Sequence, residues 1–100
     1  MSVTTTDIRA ELDALVGKMD RRGVPNHLRY GLAGYILWSR PVGGFLTAVL
    51  SNDLEGTILR ADTDSMVGLR QLVLFLHGEA PATSWGSPEK VERWKGTAGQ

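Results

Sequence analysis

Apolar residues recur at intervals of three and four along most of the chain, and Gly and Pro punctuate the pattern. Ile8, Leu12, Leu15, Val16 and Met19 form the first such stripe, which predicts a helix. Thr6 or Asp7 suits its cap, because either side chain can accept a free backbone N–H. Gly23 ends it, just after Arg21 and Arg22, whose charges complement the helix dipole. Pro25 opens a second helix with the stripe Leu28, Leu32, Tyr35 and Ile36. Leu37 and Trp38 widen that stripe, so this helix is expected at the centre of the fold. Gly31 and Gly34 lie one turn apart within it and each costs about 1 kcal/mol relative to Ala. The expected reason is another helix crossing closely there.

Pro41 stops the second helix, and Gly43-Gly44 leads into Phe45, Leu46, Val49 and Leu50. Asn52, with Glu55 three residues on, reads as a capping box for a fourth segment. Its expected buried face is Leu54, Ile58 and Leu59, meeting the previous helix at Ser51-Asn52 as two short helices or one kinked helix. Asp62 or Thr63 caps the next segment, where Met66, Leu69, Leu72, Val73 and Leu76 fit a period of 3.6. The run Leu72–Leu76 could also form a strand, but no second strand exists to pair with it. Gly78 and Pro81 end this segment. A loop from Ala80 to Gly86 carries Trp85, and Ser87-Pro88 starts a last short helix with Val91 and Trp94 inside. The reading is an all-α single domain over residues 1–100, a compact bundle of about five or six short helices. Residues 1–4 and 96–100 lack apolar anchors and are expected to be loose tails.

Composition agrees with a packed domain: 42% of the residues are hydrophobic and 22% charged. There is no cysteine, which excludes disulfides and thiolate metal sites. The longest apolar run, Leu72–Leu76, is far too short to span a bilayer. Met1–Asp7 does not read as a signal peptide, so a cytoplasmic location is expected. Eleven basic residues balance eleven acidic ones, so the strong positive footprint of a nucleic-acid binder is missing. Lys18, Arg21, Arg22, Arg29 and Arg40 do fall in one stretch, opposed by Asp20.

Familiar chemistry is not written in the pattern. Gly43-Gly44 has neither the preceding strand nor the lysine of a phosphate loop. Asp53, Glu55, Asp62 and Asp64 fail calcium-loop spacing and suit first-turn positions instead. His27 and His77 are far apart, and Ser39, Ser51 and Ser84 have no flanking nucleophile-elbow glycines. The expectation is a non-enzyme with no catalytic, cofactor or metal residue. Trp85 stands out because its loop holds little else that is apolar. It is either a lid over the core or an exposed interface anchor.

Three stretches carry a resemblance: Pro25–Tyr30 as PNHLRY, Pro41–Leu54 as PVGGFLTAVLSNDL, and Glu79–Trp94 as EAPATSWGSPEKVERW. Over residues 24–94 the chain resembles a group of small uncharacterised proteins of tailed phages and prophages. That group has a second proline where this chain has Val42. The resemblance implies expression in an infected bacterium, hence the host cytoplasm, and implies no chemistry. The expected role is an accessory protein that binds a host or phage protein or a copy of itself. Trp85, Arg21, Arg22, Arg29 and Arg40 are its candidate contact residues. The rivals are a nucleic-acid-binding module built on those cations and a small enzyme using Asp53, Asp62 or His77.

Overall fold

A computed structural model describes residues 5–98 of the chain, with side chains from residue 8 onward. Seven helices follow one another, and no strand occurs among the described residues. They are α1 (Thr5–Arg21), α2 (Asn26–Trp38), α3 (Gly44–Leu50), α4 (Leu54–Arg60), α5 (Thr63–Val67), α6 (Leu69–Glu79) and α7 (Pro88–Arg93). The all-α reading holds. Capping of α1 by Thr6 or Asp7 falls outside the described side chains, and the expected tail at 1–4 lies outside the described residues altogether.

The additional helix arises at Gly68. The pattern from Thr63 to Leu76 predicts one helix, but Gly68 ends α5 and begins α6. A Cβ there would run into the Pro25 ring, so only glycine lets the start of α6 lie against the start of α2.

Helix α2 is central, as its wide stripe predicts. Leu28 and the unbroken run Leu32–Leu37 are buried. Around it pack Met19 and Val24, Leu46, Val49 and Leu50 of α3, Leu72, Phe75 and Leu76 of α6, and Trp94. Each large apolar side chain so buried contributes about 1.5–3 kcal/mol. No other helix crosses closely at the glycines of α2. A Cβ at Gly34 would meet the stem of Arg40 at 3.2 Å, and one at Gly31 only the tip of Leu46 at 3.9 Å.

At the α3–α4 corner the chain forms two helices, and the cap sits one residue later than expected. Asn52 turns through a left-handed φ of 60°, and Asp53, not Asn52, accepts the backbone N–H of Gly56 at 3.0 Å. Asp62 and Ser87 cap α5 and α7 by accepting from Ser65 N at 2.7 Å and Lys90 N at 3.2 Å.

The C-terminal stretch departs from the expected loose tail over residues 96–98. Thr97 and Ala98 donate to the carbonyls of Ile36 and Leu37 at 2.9 and 2.8 Å, taking up free acceptors at the end of α2. Gly96 is buried with φ 89°, and a Cβ there would strike the Leu37 carbonyl oxygen. Backbone pairing replaces the apolar anchors this segment lacks.

Candidate interaction surface

Helix α4 turns its apolar residues outward. Leu54, Ile58 and Leu59, the expected buried face, are 75%, 46% and 73% exposed, and the residues facing inward are Gly56 and Thr57. A Cβ at position 56 would collide with the carboxylate of Asp53, the cap of the same helix, so glycine suits this inward position. The same correction applies in part to α5 and α6. Met66 and Val73 of the expected stripe are exposed, while Phe75 joins Leu72 and Leu76 inside.

Among the described residues, seven of the nine exposed large apolar side chains therefore fall between residues 54 and 74: Leu54, Ile58, Leu59, Met66, Val67, Val73 and Leu74. Their concentration on three successive helices is what separates them from the ordinary scatter of surface apolar residues. A groove of about 120 Å³ runs into this face, lined by Val49, Leu54, Thr57, Leu69, Val73 and Trp85 among others. Leu54 and Ile58 share one side of α4, and Leu69 and Val73 one side of α6, because each pair is spaced four residues apart.

Trp85 divides between the core and the surface. It is half-buried and packs against the core, and its remaining surface lines the groove. Its loop is held by more than the indole. The Tyr35 hydroxyl donates to the Ser84 carbonyl at 2.6 Å, the Ser84 hydroxyl to the Pro81 carbonyl at 2.6 Å, and Gly86 N to the Leu50 carbonyl at 2.7 Å. Burial pushes the Tyr35 hydroxyl pKa up to about 12. Sequence spacing marks neither Tyr35 nor the fully buried Ser84 as loop anchors, since the partners lie 49 residues apart.

The basic residues do not assemble into one patch. Arg22 bonds Glu79 at 2.9 Å, with Lys18 3.9 Å from the same carboxylate. Arg29 is spoken for by Asp20 at 3.2 Å and by the Val24 carbonyl at 2.8 Å, leaving 18% of its side chain exposed. Arg40 lies over the Trp38 ring, 4.7 Å from its centre, at the far end of α2. A 13-residue helix is about 20 Å long, so Arg40 is well removed from Arg29. The Arg21 guanidinium lies along its own helix over Gly17.

The fold also brings together three residues that resemble a hydrolytic triad. His27 Nε2 is 3.0 Å from Ser65 Oγ and 3.8 Å from an Asp62 oxygen. In a working triad the carboxylate holds the opposite ring nitrogen and the serine faces substrate. Here one nitrogen faces both groups, and Ser65 is 3% exposed. The arrangement ties the start of α5 to α2. Ser65 N–H and hydroxyl, with His27, hold the Asp62 carboxyl below the usual carboxylate range. Asp53 is occupied as a helix cap, and His77 lies on the rim of a second groove beside Trp85 and Lys90. Among the described residues no three metal-ligating side chains come together, and no helix is long and apolar enough to cross a membrane.

No family model, curated protein or solved structure matches the chain.

Proposed function

We propose that this chain is a small phage or prophage accessory protein that acts in the host cytoplasm by contacting another protein through the α4–α6 face. The observation that supports this is the set of apolar side chains left in water on α4, α5 and α6, two of which, Leu54 and Val73, line the Trp85 groove. Leu54, Leu59 and Val67 are each about three-quarters exposed. Covering such a side chain fully is worth about 1.5–3 kcal/mol, so a partner over all three gains several kcal/mol towards the cost of association. The resemblance to small phage proteins supplies the biological setting. A nucleic-acid role fits less well, because phosphate binding needs cations free to displace counterions, and Arg22 and Arg29 are engaged within the chain.

The test is affinity capture from a bacterial host with the wild-type chain and with Leu54→Asp. Leu54 supports no core contact that the substitution would remove, so the variant should keep its circular dichroism spectrum and melting point. Loss of a captured protein from the variant alone is the expected result. Identical capture by both chains would overturn the assignment of this face.

A further inference from the structure

We draw no further inference here: the strongest candidate, the groove of about 460 Å³ along α7 where Lys90, Arg93 and Lys95 come together, has only exposed cations and shares them with Glu89, so nothing in the structure says which ligand it would take.

Discussion

The two ends of this fold treat their side chains in opposite ways. Around the C-terminal end of α2, polar groups find partners inside the chain. The indole N–H of Trp94 donates to the Tyr35 carbonyl at 2.9 Å, and the Ser39 hydroxyl to the Trp94 carbonyl at 2.5 Å. Thr97 and Ala98 occupy the last carbonyls of the helix. Around α4 and α5, Leu54, Leu59 and Val67 stand in water. The first region is spent on stability. The second contributes little to it. Substitutions in the first should therefore unfold the protein, and those in the second should change only its associations.

The largest expected effect is at Trp94. It is 6% exposed, belongs to the core and closes α2 through its indole N–H. Trp94→Ala should lower stability by about 3–5 kcal/mol, read from urea unfolding at neutral pH. A loss below about 1 kcal/mol would mean the C-terminal segment is not part of the cooperative core.

Tyr35 sharpens the same contrast through pH. Its hydroxyl keeps its proton in the fold to about pH 12, whereas an unfolded tyrosine releases it near 10. Between those values the folded state binds more protons, so stability falls as pH rises. The contribution is complete below about pH 10, and about 2–3 kcal/mol is lost by about pH 12. Tyrosinate absorbance in a Tyr30→Phe background isolates this group. Titration near 10 while the helical signal persists would show that the loop lets water reach Tyr35.

How far these regions could be read from the chain depended on the range of the signals. Caps and stops are local, and so Asp62, Ser87-Pro88, Pro41 and Pro81 marked helix ends that the fold retains. The breadth of the α2 stripe foretold its central place. A stripe does not say what covers it, however, and this is why Leu54, Ile58 and Leu59 were expected inside. In the fold Gly56 and Thr57 take the inward positions instead. The Arg22–Glu79 and Tyr35–Ser84 pairs span 57 and 49 residues and leave no trace in spacing. The apparent basic cluster dissolves for the same reason.

Leu59→Ser should leave stability within about 0.5 kcal/mol, since the side chain is 73% exposed. Its thermal midpoint at low protein concentration is the measurement. A marked fall there would show that Leu59 packs inside its own chain and would remove the distinction between the two regions.

The smallest expected effect lies where α5 meets the start of α2, at Asp62. Ser65 N–H and hydroxyl favour its charged form, with a further pull from His27, so its carboxyl titrates below the usual range. An unfolded Asp takes up its proton near about pH 4, before the folded one does. Stability from this charge is therefore present above about pH 4 and lost as pH falls through the lower folded value. Asp62→Asn retains an oxygen that can accept the Ser65 N–H but cannot carry the charge. The variant should melt slightly below wild type at pH 6, and the two should converge as pH falls through the lowered folded value, where both side chains become neutral. Asp62 is well exposed, so screening keeps the difference small, and added salt should shrink it further. An offset that persists unchanged at low pH would trace the loss to altered capping geometry, and the His27–Ser65–Asp62 contact would then be a matter of shape alone.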